Sequence, residues 1–333
     1  MLAFIKLCLF FAQDVYAQDI HFSQFLSAPM NLNPAHTGYF EGNLRAVANY
    51  RRQWNSITIP YQTFGLSIDT KGLPQIKNTA FGLGVYNDQT GDSKLNTFSG
   101  TIALAQTIPF NKKSTQGITL GVHLGITQRS INYSGLRFDS QYDGSAHNPN
   151  LSSNEDLSMQ RIIYPNVHLG IAWFKHLSNR KKLNIGTAVY HINRPNQSFF
   201  SANSSPLDPR INLHGSFQTP ISKNIDFLPA MLFNLQGTYT AITFGGSLKY
   251  ILNHNPSYYR AVYLGFWNRA GDAGWFSLGM DYGNFYGCIS YDINYSPLVD
   301  ASNLRGGVEV SLIYIIKNFL PKRKKYLSCP DFL

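Results

Sequence analysis

The chain has 333 residues and a formal net charge of +10, yet charged residues make up only 14% of it, the same share as aromatic residues. Its mean hydropathy is −0.18, and after the first dozen residues no apolar run approaches the roughly 20 residues that a membrane helix requires. These values exclude a helical membrane protein. They do not exclude a transmembrane barrel, whose strands average a lipid-facing side with a wet side.

The first 17 residues have the features of a signal peptide. An apolar stretch runs from Leu2 to Ala12, and Val15-Tyr16-Ala17 provides a small-residue cleavage site. We therefore expect residues 1–17 to direct export and the mature chain to begin at residue 18. Two cysteines then remain, Cys288 and Cys329, which is too few for a disulfide scaffold. Whether they are bonded stays open.

Period-two alternation of apolar residues predicts β-strands along most of the chain. Ile118, Leu120, Val122, Leu124 and Ile126 alternate with small or polar residues, which gives one apolar and one polar face. Stretches of this kind, each about ten residues long, suit a tilted strand that crosses a bilayer. We predict about 14 strands near 43–51, 61–70, 79–88, 94–106, 117–128, 165–175, 182–193, 210–219, 224–235, 238–250, 260–268, 274–282, 284–295 and 307–317.

Only a closed barrel lets such strands satisfy every backbone polar group in lipid. The predicted fold is therefore an all-β, transmembrane antiparallel β-barrel over residues 43–317, preceded by a segment of residues 18–42. The two longest connections, 129–164 and 194–209, fall on one side of the membrane, and short connections rich in lysine fall on the other. This asymmetry is typical of outer-membrane barrels with long loops outside and both termini in the periplasm.

The predicted tail of residues 318–333 carries a basic cluster at the periplasmic side. We consider Lys322, Arg323, Lys324 and Lys325 candidates for contact with an acidic periplasmic partner. Lysines that merely keep turns hydrated are the alternative. A nucleic-acid partner is excluded because an exported barrel does not meet the genome.

Nothing in the sequence indicates catalysis. His123, His168, His191 and His214 fall on predicted strands, but no serine or acid is fixed beside them at a spacing that would build a nucleophile and base. No metal-ligand spacing is present either. We predict no enzyme activity, no cofactor and no metal site.

Strand parity places a set of charged residues on the lumenal face. Opposite charges inside a narrow barrel pair across the wall, or they bind a peptide or plug segment, and parity does not decide between these. The set comprises Arg45, Arg51, Asp69, Arg210, Lys249, Asp281, Asp292 and Glu309.

Motifs near both ends of the chain resemble the PorP/SprF family of the Bacteroidetes type IX secretion and gliding systems. At one end these are residues 18–25 (QDIHFSQF), which include Gln24 and Phe25, then Asn33-Pro34-Ala35-His36-Thr37-Gly38, and residues 50–54 (YRRQW), which include Arg51, Gln53 and Trp54. At the other end they are residues 291–298 (YDINYSPL), which include Asp292 and Asn294, then residues 306–311 (GGVEVS), which include Glu309, and the final CPDF. The tail departs from the family because Asp331 stands where members usually carry an arginine.

The resemblance implies a non-catalytic outer-membrane barrel of the fatty-acid-transporter type. It also implies one of two roles: work with the periplasmic part of the secretion machine, or partnership with one secreted protein whose C-terminal sorting domain the barrel helps to export or anchor. We favour the partner of a secreted adhesin-like protein. A transporter of hydrophobic small molecules is the rival.

Pro34 restricts Asn33 to extended conformations, and the 18–42 segment is polar and long enough to fold into the barrel as a plug. A periplasmic tether is the alternative. Gln24, Phe25, Asn33, Pro34, Ala35, Arg51, Gln53 and Trp54 are the candidate plug and motif residues, and Asp292, Asn294 and Glu309 are the candidate lumenal residues.

Overall fold

The structure is a computed structural model. It describes residues 19–53, 59–72, 76, 78–91, 94–133, 136–148, 150–154, 159–200, 204–255, 258–296, 299 and 303–317. The predicted signal peptide, Trp54, Cys329 and the predicted basic tail with Lys322, Arg323, Lys324 and Lys325 lie outside the described residues.

Fourteen antiparallel strands form a closed barrel in which each strand pairs with its neighbours in the chain, and the first pairs with the last. The prediction of a 14-stranded barrel is confirmed. The strands are β1 (Leu44–Gln53), β2 (Tyr61–Thr70), β3 (Thr79–Thr90), β4 (Leu95–Pro109), β5 (Gln116–Ser130), β6 (Arg161–Ser178), β7 (Lys181–Tyr190), β8 (Arg210–Pro220), β9 (Ile225–Gln236), β10 (Tyr239–Asn253), β11 (Arg260–Arg269), β12 (Ala273–Tyr282), β13 (Phe285–Asn294) and β14 (Arg305–Ile316).

The largest difference from the predicted boundaries is at β6, which begins four residues before Pro165. A proline cannot donate a ladder hydrogen bond. Pro165 pairs with Ile126 of β5, but its backbone nitrogen faces away from β5, so no hydrogen bond to that strand is lost. On the other side, Asn193 donates to the Pro165 carbonyl at 2.7 Å and accepts from the Val167 N–H at 3.1 Å. A side chain thus substitutes for the neighbouring strand, so β6 extends past its proline.

Side chains alternate between the two faces of the wall as the sequence predicts. Along β5, Leu120, Val122, Leu124 and Ile126 are exposed on the outside, whereas Thr119 and His123 are buried inside. Among the described residues, no helix is long and apolar enough to cross a membrane.

Residues 19–43, which we call the lumenal segment, lie inside the barrel. The segment contains a short helix, α1 (Pro29–Leu32), flanked by single 3₁₀ turns at Phe25–Ser27 and Pro34–His36. Phe25 and Leu32 pack against inward-facing residues of the wall, namely Ala230, Leu232, Trp267 and Trp275. The larger apolar cluster therefore lies between this segment and the wall, and a smaller one comprises Ile162, Tyr164 and Leu207.

Candidate functional site: the lumenal segment and the wall that holds it

The lumenal segment runs from one end of the barrel to the other. Its Asp19 lies at the end of the long connections, where its carboxylate is 3.2 Å from Arg210 and 3.0 Å from His191. Its Asn43 lies at the opposite end, where the Asn43 N–H donates to the Ile316 carbonyl at 2.8 Å. The segment therefore passes along the lumen and exits where β1 begins.

Glu309 of β14 binds the first turn of the segment through its backbone. One carboxylate oxygen accepts from the Ser23 N–H at 2.7 Å, and the other accepts from the Gln24 N–H at 2.9 Å. The Gln24 side-chain amide donates to Ser290 Oγ at 3.0 Å and to the Glu309 carbonyl at 2.9 Å. An irregular backbone buried away from water needs such partners, and this wall supplies them from charged side chains.

Arg51 of β1 holds the two carboxylates of this wall together. Its guanidinium lies 3.1 Å from Asp292 and 3.7 Å from Glu309, and it donates to the His21 carbonyl at 2.8 Å. All three charged side chains are almost fully buried. Asp292 in turn accepts a hydrogen bond from the Ser23 hydroxyl at 2.7 Å. We call Arg51, Asp292 and Glu309 the charged wall.

Half-way around the barrel, three glycines of the wall lie directly against the Asn33-Pro34-Ala35 motif. A Cβ at Gly121 of β5 would lie 2.2 Å from the Pro34 carbonyl carbon, and one at Gly170 of β6 would lie 2.0 Å from Asn33 Oδ1. A Cβ at Gly186 of β7 would lie 2.8 Å from Asn33 Nδ2. The strands have no room for a side chain at these three positions, so the backbone of the strands contacts the motif directly. We call Gly121, Gly170 and Gly186 the glycine wall.

The side chain of Asn33 makes hydrogen bonds both within the motif and to the wall. Its Oδ1 accepts from the Ala35 N–H at 2.8 Å, which caps the 3₁₀ turn. Its Nδ2 donates to the carbonyls of Ile171 and Thr187, each at 3.1 Å. Because Pro34 keeps Asn33 extended, the side chain is directed at two adjacent strands.

Histidines that the sequence placed on strands line the same region. His123 lies 3.2 Å from Thr37 Oγ1, and His214 lies 3.0 Å from Asn33 Nδ2. His36 of the segment is 3.0 Å from Asn184 Oδ1. Burial lowers the pKa of His36 to about 4, so it is neutral at pH 7. Among the described residues no group of three or more histidine, cysteine or acidic side chains has metal-binding geometry.

The exit of the segment is fixed by a second buried ion pair. Asp69 of β2 lies 2.7 Å from Arg45 of β1 and accepts from the Gly38 N–H at 2.7 Å. Arg45 also donates to the His36 carbonyl at 3.0 Å. Gly38 has a φ of 72° and faces Ala80 so closely that an added Cβ would be 2.2 Å from the Ala80 Cβ. Only glycine fits this turn.

The entry of the segment carries a charged contact of its own. Burial alone would raise the pKa of the Asp19 carboxyl. The neighbouring Arg210 and His191 lower it by a larger amount, so the pKa falls well below its ordinary value. The cavities beside residues 19–32 of the segment are small: one of about 100 Å³ is lined by Asp19, His191 and Arg210 among others, and one of about 30 Å³ lies near Phe25.

The structure brings together most of the sequence-predicted residues. Gln24 binds the charged wall, Phe25 packs edge-on against Trp267 with ring centroids 5.5 Å apart, and Pro34 and Ala35 press on the glycine wall. Asn294 is buried at the end of β13, where it accepts from the Ser296 hydroxyl at 2.7 Å and from the Ser296 N–H at 3.2 Å. Gln53 is the last residue of β1.

Sequence reasoning missed two parts of this site. Arg269 of β11 donates to the Ser23 hydroxyl at 3.2 Å. It was missed because it is the last residue of its strand, where alternation is a weak guide to which face a side chain occupies. The glycine wall was also missed. Its signal is three glycines at inward-facing positions of three consecutive strands, where a lumen without a bound segment would require bulkier side chains.

Comparisons with known proteins agree with this architecture. Solved structures with a similar fold include the Ralstonia pickettii toluene transporter TbuX (TM-score 0.52, 10% identity, covering 86% of this chain and 92% of that one). They also include the Pseudomonas putida toluene transporter TodX (TM-score 0.51, 10% identity, 91% and 99%) and the CymD monoaromatic hydrocarbon channel (0.50, 11%, 87% and 93%). At these identities the likeness shows the fold alone. No curated protein matches the chain in sequence.

The family model for the type IX secretion system membrane protein PorP/SprF matches residues 14–314. This range covers the lumenal segment and nearly all of the barrel. The fold is that of an integral outer-membrane protein. The chain therefore belongs to the PorP/SprF family of type IX secretion system membrane proteins.

Proposed function

We propose that this protein is a non-enzymatic component of the type IX secretion system that binds the C-terminal sorting domain of a secreted adhesin-like protein and assists its export or surface anchoring. The observation that carries the proposal is the occupied lumen. The lumenal segment is held at both walls and at its exit, and the cavities beside its residues 19–32 measure only about 100 Å³ and 30 Å³. A folded protein has no passage through such a barrel, so binding at its surface is the role that suits it.

The two long connections offer a surface for a secreted protein. In the β5–β6 connection, Asp143 accepts hydrogen bonds from the backbone of Ser145 and Ala146, each at 2.9 Å, so this part of the loop has a defined shape. Tyr142 of that connection and Phe200 of the β7–β8 connection are exposed. Exposed aromatic residues on shaped loops are typical of protein-binding surfaces.

The test is purification of the barrel from its own envelope in mild detergent, followed by mass spectrometry of the proteins that remain bound. We expect one large secreted polypeptide, retained through its C-terminal domain. The triple variant Tyr142→Ser, Leu151→Ser and Phe200→Ser should lose it, and the control variant Lys112→Ser, Lys113→Ser and Lys223→Ser on short connections should keep it. Recovery of periplasmic machine components alone would overturn the adhesin-partner proposal and favour a structural role in the machine.

A transporter of hydrophobic small molecules is the second candidate, and the likeness to toluene transporters and a hydrocarbon channel favours it. The polar lining of the cavity at Asp19 and Arg210 speaks against it, because a hydrocarbon gains nothing from buried charges. Uptake of radiolabelled toluene by proteoliposomes, faster than in empty vesicles, would support transport. An unchanged rate would remove this candidate.

A further inference from the structure

A third cavity lies at the end where the lumenal segment leaves the barrel. Its volume is about 520 Å³, within the range of sites that hold small ligands or a few side chains. The short connections are at this end, which is the periplasmic side in barrels of this class. The site is separate from the outer loops and does not depend on the proposed binding of a secreted protein there.

One side of this cavity is aromatic. Phe174 of β6 is buried, and its ring centroid lies 5.6 Å from that of Tyr39 in the lumenal segment. Phe40 follows Tyr39 and also lines the cavity. Three rings around one space provide an apolar surface that another aromatic ring covers well, because ring pairs gain stability beyond the area that they bury.

The mouth of the cavity is positively charged. Lys182 of β7 pairs with Glu41, whose side chain is largely exposed. Lys71, next to β2, donates to the Phe40 carbonyl at 3.2 Å, and no carboxylate of the described residues lies within ion-pair distance of it. The Glu41 carboxylate interacts electrostatically with both lysines. Two lysines thus face one carboxylate, and one net positive charge remains beside the aromatic surface.

Polar groups between these two features suit a polypeptide backbone. Ser114 and Asn78 line the cavity and carry a hydroxyl and an amide. Thr79 and Thr107 also line it, and although their hydroxyls hydrogen-bond Gln106 and Thr119, each hydroxyl oxygen has two acceptor lone pairs. A free aromatic acid would use the rings and Lys71 but not these groups. The cavity thus combines an aromatic surface, one net positive charge and several hydrogen-bonding side chains.

We propose that this cavity binds an extended segment of a periplasmic protein in which an aromatic side chain stands next to a carboxylate. The aromatic ring lies against Phe174 and Tyr39, and the carboxylate lies at Lys71. Because residues 38–43 both line the cavity and form the exit of the lumenal segment, the bound peptide contacts the part of the chain that joins this segment to β1.

The test uses the full-length barrel in detergent and the peptide N-acetyl-Gly-Phe-Asp-Gly-amide, with binding followed by saturation-transfer NMR on the phenyl protons. We expect saturable binding that weakens two- to fivefold in Lys71→Met, the range of one exposed ion pair. The matched control Lys223→Met removes a lysine from another short connection and should bind as the original protein does. The melting temperature of each variant checks that it is folded.

Three further peptides and one small molecule separate the alternatives. Replacement of Asp by Asn or of Phe by Ala in the peptide should weaken binding, and a p-benzoylphenylalanine analogue should crosslink to residues 38–43 or to Phe174. Equal binding of the Asp and Asn peptides, equal loss in the two lysine variants, crosslinks elsewhere or no binding at all would overturn the proposal. Tighter binding of 3-phenylpropionate than of the peptide would also overturn it, in favour of a small-molecule site. None of these results bears on retention of a secreted protein at the outer loops.

Discussion

The lumenal segment is held by two walls of opposite chemistry. The charged wall, on β1, β13 and β14, binds the segment near Ser23 through two carboxylates and an arginine. The glycine wall, on β5, β6 and β7, contacts it near Pro34 through the strand backbone, which the motif can approach because the glycines have no side chains. The first wall depends on charge and direction, and the second depends on shape. A segment with little regular structure can therefore be fixed without a large apolar core.

The largest expected effect is the loss of Arg51. In Arg51→Met, Asp292 and Glu309 remain buried without their shared cation, and breaking a buried pair in this way costs about 3–5 kcal/mol of unfolding free energy. Urea unfolding in detergent measures this cost, and hydrogen exchange should rise first at residues 20–25. Arg52→Met, on the next residue of β1, is the control. If the two variants lose equal stability, the charged wall does not hold the segment.

Gly170→Ala should have the next largest effect. Its methyl group would lie 2.0 Å from Asn33 Oδ1, so the motif has to move, and overpacking of this kind costs about 1–3 kcal/mol. Hydrogen exchange should rise at residues 33–37 and not at residues 20–25. Gly100→Ala on β4 is a matched control, because no atom lies within 4 Å of its added Cβ. Protection of residues 33–37 that is unchanged in Gly170→Ala would contradict the packing described.

Acidification should destabilise the part of the lumenal segment that lies against the glycine wall, because His36 becomes protonated. Its pKa is lowered to about 4 in the folded protein, against about 6.5 in an unfolded chain. Burying His36 in its neutral form therefore makes its full contribution to the unfolding free energy above pH 6.5. This contribution is lost as the pH falls toward 4. At pH 5 the loss amounts to about 2 kcal/mol for this group.

His36→Gln keeps an amide near Asn184 and cannot titrate. Its unfolding free energy should therefore fall less between pH 7 and pH 5 than that of the original protein. Histidines distant from His36 are present in both proteins and cancel in the difference, whereas His214, whose ring centroid lies 4.7 Å from that of His36, contributes with it. Parallel pH profiles for the two proteins would show that His36 is not the titrating group.

The smallest effect is expected at the entry. Asp19→Asn removes the charge opposite Arg210 and His191, and because the Asp19 side chain is partly exposed we expect a loss of about 1 kcal/mol or less that shrinks in high salt. Hydrogen exchange should rise at residues 19–21 alone. Asp139→Asn on the β5–β6 connection serves as the control. A loss that spreads to residues 33–37 would mean that the two walls act as one unit.

The barrel itself could be predicted from the sequence because its signal is local. Alternation in a strand such as β5 reports which side chains face lipid, and a strand in lipid has no other way to satisfy its backbone than by pairing in a closed sheet. The inward position of Arg51, Asp292 and Glu309 follows from the same parity. The largest boundary difference is four residues at the start of β6, beside Pro165, where the Asn193 side chain substitutes for the neighbouring strand.

What the sequence determined by itself was therefore the wall: the strands, their faces and the inward charges. The tertiary structure alone decided how Asn33-Pro34-Ala35 meets Gly121, Gly170 and Gly186, and that Glu309 binds the Ser23 backbone rather than only Arg51. These contacts join residues more than 80 positions apart. Local periodicity holds no information about such pairs, because only closure of the barrel brings opposite walls to the two sides of one segment.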